Sequence, residues 1–343
     1  MIHVQTLDRK IWRKDLLVVY LYKCHYTNVD AVIDLSPEGS CAASLGLYKL
    51  LDEFCHDTGY KKNRITIKTG NMIEQHSEYV ISKQASNWYE IVEIQKWLYG
   101  KTLDIQYKPT KHFANFSSRS NWFRLWVATI LDTYHSDKTI QTYHYDPERE
   151  NYNFNGYIGV DDLFKRNCDL IPQAVKFLQT CPRTLDIDFL QNLDNTKESL
   201  YQHENSYYPI QHPSNLNLLQ YYNDIFVDII VEPNISGNSF LATEKLWRCI
   251  VAHRPFIVVS NVDYLKNLRK LGFRTFNKWW NESYDMYGNG SRINQVEVLL
   301  DTISKLTTNE LEDMLLEMKE LLEYNCQIFE SLTTDNIQRI FIE

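Results

Sequence analysis

A chain of 343 residues, 44% hydrophobic and 23% charged, has the composition of a folded protein and the length for two separate cores. Its net charge of −8 excludes a general attraction to phosphate backbones, so nucleic acid is a partner only through a local basic face. No apolar run is long enough to cross a bilayer and the first residues lack the charged-then-apolar order of a secretory signal, so the expected location is the cytoplasm.

Taken in order, Leu16–Tyr22 is a β-rich apolar run predicted as a strand, and Ala31–Leu35 is a second. Ser36 to Ser40, with Pro37 and Gly39, makes a turn, and a helix follows with Leu47, Leu50, Leu51 and Phe54 on its apolar face. Arg64–Lys68 reads as the next strand, and a further helix is expected over Trp88–Leu98. That order of elements predicts a small Rossmann-like domain over residues 1–108. Glu38 stands where its strand ends. A carboxylate there is either a turn charge or a general base, with Asp34 a nearby and Glu74 a remote substitute. Lys61, Lys62 and Arg64 form the densest basic cluster, which reads as a solvated turn or as a contact for a polyanion.

Tyr99–Thr110, without clear periodicity, is the expected linker to a second domain over residues 109–343. Lys111–Phe116 begins it as a strand. Ser117 to Ser120 then opens a helix with Trp122, Leu125, Trp126 and Ile130 apolar and Arg124 on another face. Asn151–Gln220 is rich in Asn, Asp, Tyr and Gln and is predicted as loops with a short helix at Ala174–Gln179. Asp186-Ile187-Asp188 has the form of a metal-binding Asp-x-Asp, but it follows Cys-Pro-Arg-Thr-Leu where a long apolar strand would be expected, so no metal is assigned to it.

The stretch from Tyr222 onward is the most legible. Ile225–Val231 is nearly all apolar and reads as a buried parallel strand, and Asn234–Ser239 with Gly237 is the loop above its end. Thr243 is placed to cap a helix running to about His253, which Pro255 ends, and Pro255–Ser260 is the next strand. Such a β-loop-α-β unit carries its ligands at the carboxyl end of the strand, where a helix start with uncommitted amides attracts anions. Lys245 in the first helical turn runs against the helix dipole unless an anion compensates it. Gly272 is expected to end the following helix, with Phe273–Phe276 as a further strand. Trp279–Asp285 reads as an aromatic lid or wall with Glu282 and Asp285 as polar members. Thr307 and Glu310 form a capping box for a long acidic helix carrying Leu311, Leu315, Met318 and Leu322. The seven cysteines include no Cys-x-x-Cys pair, so reduced, mostly buried thiols are expected and structural zinc is not.

The Thr243-Glu244-Lys245 helix start, the upstream Glu232-x-Asn234 and the downstream apolar strand resemble the donor-binding region of fucosyltransferase-like GT-B glycosyltransferases, the α-1,3-fucosyltransferase family in particular. The likeness covers roughly Lys111 to Asp285. It implies an α/β, GT-B-like fold, two Rossmann-like domains facing across a cleft, with a last helix crossing back onto the first domain. It implies transfer of a sugar from a nucleoside diphosphate, GDP-fucose in that family, to a hydroxyl, with inversion and without a resident metal or cofactor. An Arg of the strand-to-helix segment, Arg119 or Arg124, would face the donor phosphates with Lys245. Glu244 would accept from the donor's hydroxyls, Asn234 and Tyr222 would line the cleft, and an amino-terminal carboxylate, Glu38 first, would be the base. Retaining relatives carry a second Glu at a fixed short spacing, and here counting from Glu232 reaches Phe240. The acceptor is a glycan by default, and a hydroxylated DNA base, as modified by viral enzymes, is the alternative. A catalytically silent nucleotide- or glycan-binding protein is the rival of a different class. Abundant Asn, Tyr and Ile fits an AT-rich coding genome, microbial or viral.

Overall fold

The computed structural model describes residues 3–6, 14–36, 40–84, 104–117, 121–143, 168–181, 200–203, 206–209, 219–232 and 237–341, with the single positions 92, 96, 183, 185 and 235. The chain is α/β, built on two parallel sheets. In the first, β1 (His3–Thr6), β2 (Ala31–Leu35), β3 (Ile65–Thr69) and β4 (Val80–Lys83) lie side by side in sequence order, all parallel. Helices α1 (Lys14–Tyr26) and α2 (Leu47–Thr58) pack with it. Leu17, Leu21, Ile33, Leu51, Phe54 and Ile67 are the centre of that core.

The expected strand at Leu16–Tyr22 is a correction, because these residues lie within α1. The buried positions Leu17, Tyr20, Leu21 and Cys24 are spaced three, one and three apart, a helical stripe, whereas Leu16 and Val19 are exposed. Composition favoured a strand and burial geometry chose the helix. Of the helix expected at Trp88–Leu98, only Val92 and Lys96 are described, and both are helical. The basic cluster is an ion-paired turn: Lys62 meets Asp52 and Glu78 at 2.8 Å each, and Arg64 meets Asp30 at 2.7 Å.

The second sheet has the order β10-β9-β5-β6, all parallel, from β5 (Lys111–Ser117), β6 (Thr139–Tyr143), β9 (Ile225–Val231) and β10 (Phe256–Val259). A separate antiparallel hairpin, β7 (Leu200–His203) with β8 (Ser206–Pro209), falls between β6 and β9 in sequence. The chain leaves β5 through α3 (Trp122–His135) to reach β6 on one side, then returns to lay β9 and β10 on the other. Between β5 and β9 the winding direction therefore reverses. All seven residues of β9 are buried, as a strand covered on both faces requires. Helices α4 (Ile171–Gln179), α5 (Glu244–Val251), α6 (Tyr264–Lys270), α7 (Asn289–Ile303), α8 (Thr308–Ser331) and α9 (Thr334–Phe341) complete this half.

The capping box of α8 is present, and its stripe Leu311, Leu315, Met318 and Leu322 is buried against α5, β5 and β9. Phe273–Phe276 forms no strand. The side chain of Asn325 on α8 takes both backbone groups of Arg274, with Arg274 N to Oδ1 at 2.8 Å and Nδ2 to Arg274 O at 2.9 Å, and Glu282 takes the amide of Phe276. The backbone is satisfied without a ladder. After α8 the chain turns back to the first half through α9. Lys96 donates to Leu332 O at 2.8 Å and Lys83 to Phe341 O at 2.9 Å. No helix among the described residues is long and apolar enough to cross a membrane.

Candidate functional site at the switch point of the second sheet

Parallel sheets leave a crevice outside the carboxyl ends of two strands where the winding reverses, because the flanking connections depart to opposite faces there. In this strand order that position is beyond the carboxyl ends of β5 and β9. The helix leaving β5 is α3 and the helix leaving β9 is α5, so their first turns are the natural walls.

On the β5 side, Asn121 caps α3, its side chain accepting from Arg124 N at 2.9 Å. This sets Arg124 in the first turn, 6% exposed, with its guanidinium Nη2 donating to Val231 O at 3.4 Å. Val231 is the last residue of β9, so the cation lies at the mouth of that strand. Asn115 of β5 binds the neighbouring Ile229 carbonyl at 2.7 Å and fixes the two strands there.

On the β9 side, Glu232 follows the strand directly and is 1% exposed. Its carboxylate accepts from Thr243 N at 3.1 Å, Thr243 Oγ1 at 2.6 Å and Tyr264 OH at 3.0 Å. One side chain thus joins the end of β9, the start of α5 and α6. Burial pushes the Glu232 carboxyl above its ordinary value, against the pull of Lys245 and the Thr243 hydrogen bonds. Thr243 occupies the capping position, as expected, but its hydroxyl is donated to Glu232 and makes no cap bond to the helix.

Lys245 reaches back over this turn, with Nζ 3.3 Å from Thr243 Oγ1 and 2.7 Å from Glu244 Oε1. Arg124 and Lys245 therefore converge on the end of β9 from opposite walls, one on Val231 and the other on Thr243, which Glu232 holds. Burial works to raise the Glu244 carboxyl, but Lys245 and Arg248 overcome it and hold it down at about 2. Glu244 is an anion at any physiological pH, and the lysine is already oriented by it.

Tyr222 does not line this crevice. It is 1% exposed, donates to Asp228 Oδ2 at 2.6 Å and packs on Phe116, so it belongs to the core beneath α5. Asp228 is its reason: a carboxylate in the middle of β9, 2% exposed, held by Tyr222 and by Cys249 Sγ at 3.3 Å. Burial raises Asp228, with the Tyr222 hydrogen bond and Arg248 opposing. Arg248, itself 2% exposed, was not singled out from the sequence. The available signal was its place four residues after Glu244, on the same helix face.

Glu38, Arg119, Asn234, Asp186 and Asp188 lie outside the described residues. Asp34, next to last in β2, holds the turn that follows, accepting from Ser36 N at 2.9 Å and Ser36 Oγ at 2.5 Å. Glu74 is committed elsewhere: it takes Ala42 N, Tyr48 OH and Asn71 Nδ2 at 2.9–3.0 Å. The expected lid at Trp279–Asp285 is a structural corner. Asp285 accepts from Leu265 N at 2.9 Å and Lys266 N at 3.1 Å and so caps α6, while Glu282 binds Thr275 Oγ1 at 2.7 Å as well as Phe276 N.

The first half closes over the loop that follows β9. Asn71, just beyond β3, donates to Asn238 O at 2.9 Å and accepts from Phe240 N at 3.0 Å. Gly237 has φ +82°, and a β-carbon there would stand 2.8 Å from Ser44 Cβ and 3.0 Å from Cys41 Cβ. Only glycine allows that approach. The carboxyl ends of β3 and β9 thus face one another, with the switch-point crevice on the β9 side.

Comparisons of the chain with protein-family models, with curated proteins and with solved structures find no match.

Proposed function

We propose that the chain is a glycosyltransferase of GT-B-like organisation that moves a sugar from a nucleoside diphosphate to a hydroxyl of a glycan. The observation that supports this most directly is the convergence of Arg124 and Lys245 on the carboxyl end of β9, at the reversal of a parallel sheet. A fork of guanidinium donors and an ammonium group suit two linked phosphates, whose negative charge grows as the sugar departs. The resemblance of Glu232, Asn234 and Thr243-Glu244-Lys245 to a fucosyltransferase donor site adds the donor class, GDP-fucose, and the inverting course.

In this reading the acceptor oxygen attacks the anomeric carbon while the carbon–oxygen bond to the diphosphate breaks, its electron pair leaving with the phosphate. Arg124 and Lys245 offset that charge. Glu244 fixes Lys245 and accepts from a donor hydroxyl. The acceptor proton passes to a carboxylate of the first half, Glu38 first, with Asp34 as its substitute four residues earlier in the sequence. Donor and acceptor would be met in the cytoplasm.

The test is incubation of the protein with a panel of nucleotide sugars, reading slow hydrolysis to free diphosphate. One donor is expected to be consumed. Lys245→Ala and Arg124→Ala should each slow that by about 100-fold or more, the usual loss when a charge-stabilising donor is removed, and Asp186→Ala should leave it unchanged. Tight binding of a nucleotide sugar with no turnover, in the presence of glycan acceptors as well, would make the chain a silent binding protein and sink the proposal.

A further inference from the structure

A second cationic place lies at the seam between the two halves. It is a cavity of about 330 Å³ whose lining includes Lys83 of β4 and Lys266 and Lys270 of α6. Neither Arg124, Glu244 nor Lys245 lines it. Its one acidic lining residue is Asp263, paired with Lys266 at 2.8 Å. Three ammonium groups against one carboxylate leave an excess of positive charge, in a chain whose total is −8. Mutual repulsion makes that arrangement costly unless an anion is drawn in.

The three lysines are not equally occupied. Lys83 donates to Phe341 O at 2.9 Å, a carbonyl at the end of α9. Lys270 has no ion-pair partner among the described residues. Burial lowers the Lys83 ammonium below its ordinary value, and Lys270 lowers it further, while Glu74 opposes. The rest of the wall says what else the anion carries. Asn238 offers an amide and Asn267, whose Nδ2 is bound to Asp263 O at 2.9 Å, its Oδ1, both suited to hydroxyl groups, and Ile340 and Phe341 give an apolar side. A shallower groove continues from this cavity over the first half, and the two share Gln75 and Lys83.

We propose that the seam cavity binds a phosphorylated small molecule, its phosphate held by Lys83, Lys266 and Lys270 and its hydroxylated body against Asn238 and Asn267. The ligand's phosphate has two available sources, a nucleotide or a sugar phosphate. Because one lysine comes from the first half and two from the second, the ligand bridges the seam. The assignment stands on the cavity and does not require the sugar-transfer reading.

The experiment is titration calorimetry of the full chain with inorganic phosphate, GMP and glucose 1-phosphate, in wild type and in three variants. At least one of the three should bind, more weakly as salt is raised. Lys270→Ala, an exposed position that leaves the fold intact, should weaken it by about ten-fold, the effect of losing one charge-assisted contact. Lys83→Met should weaken it at least as much, whereas Lys245→Ala removes only phosphate held at the switch point and should leave the seam cavity's share of the binding in place. Binding of GMP alone would identify a nucleotide, and binding of glucose 1-phosphate alone a sugar phosphate. Three outcomes overturn the proposal: no binding by wild type, binding unaltered in both Lys270→Ala and Lys83→Met, or binding lost in Lys245→Ala alone. The last would place the phosphate in the switch-point crevice and leave the donor reading standing. Conversely, lysine-dependent binding without consumption of any nucleotide sugar would defeat that reading and leave this site.

Discussion

Replacing Asn71 by alanine tests the geometry on which a shared cleft depends. Asn71 is fully buried and its side chain makes four hydrogen bonds: to Asn238 O at 2.9 Å, to Glu74 Oε2 at 3.0 Å, from Phe240 N at 3.0 Å and from Ile73 N at 3.3 Å. Two of these cross the seam. Phe240 is fully buried, so its amide loses this partner in a place water reaches poorly. Each buried group left without a partner costs about 1–3 kcal/mol. Counting the two crossing bonds and the one to Glu74, and allowing for partial relaxation, the expected loss is about 3–5 kcal/mol. Urea unfolding followed by circular dichroism measures the total, and hydrogen exchange at the Phe240 amide reads the seam itself. Protection there should fall by about 100-fold, the equivalent of about 2.7 kcal/mol. Asn238→Ala is the control, since its contribution is a backbone carbonyl that the substitution keeps. An Asn71→Ala protein within about 0.5 kcal/mol of wild type, the range of an ordinary surface change, with Phe240 exchange unaltered, would refute the closed seam.

Two further outcomes follow from buried charge. Asp285→Ala removes the acceptor for both Leu265 N and Lys266 N and leaves the fully buried Arg292 guanidinium without the carboxylate 3.7 Å away, so unfolding should come easier by about 3 kcal/mol in a urea titration. Burial lowers His112, His135 and His253 below their ordinary value of 6.5. A base whose folded value is depressed takes up its proton more readily in the unfolded chain. Its contribution is therefore complete above about pH 6.5 and lost as pH falls below it. The urea midpoint should drop between about pH 7 and 5, and His253→Gln should make that drop shallower. An unchanged slope in this variant would show that its ring is accessible to water.

The sequence disclosed the second sheet better than the first for a physical reason. Ile225–Val231 and Phe256–Val259 are short apolar runs with turn residues on both sides, and strands buried on both faces admit little else. Leu16–Tyr22 has the same composition, but the buried stripe Leu17, Tyr20 and Leu21 is completed by Cys24, beyond the apolar run itself, so the run alone does not reveal the helical period. The site shows the same division. Lys245 stands out in the sequence by opposing the helix dipole, and Glu232 enters only through the resemblance of Glu232-x-Asn234 to a donor-binding region. Asn71 could not be anticipated, since its partners Asn238 and Phe240 lie 167 and 169 residues away.

Buried polar residues that serve a partner distant in sequence leave no local pattern, because neither spacing nor propensity constrains them. Asp285 is the same case at shorter range: it caps α6 from beyond that helix's end, because Asp263 at the capping position has φ +62° and makes no side-chain cap bond. In this two-sheet α/β chain the strands buried on both faces are legible from composition, and Lys245 from its conflict with the helix dipole. The contacts that set one sheet against the other are legible only from the fold. Asn71 and Gly237 set the seam, and if its cavity binds an anion as proposed, substitutions there would alter ligand handling without touching any residue that the sequence marks as reactive.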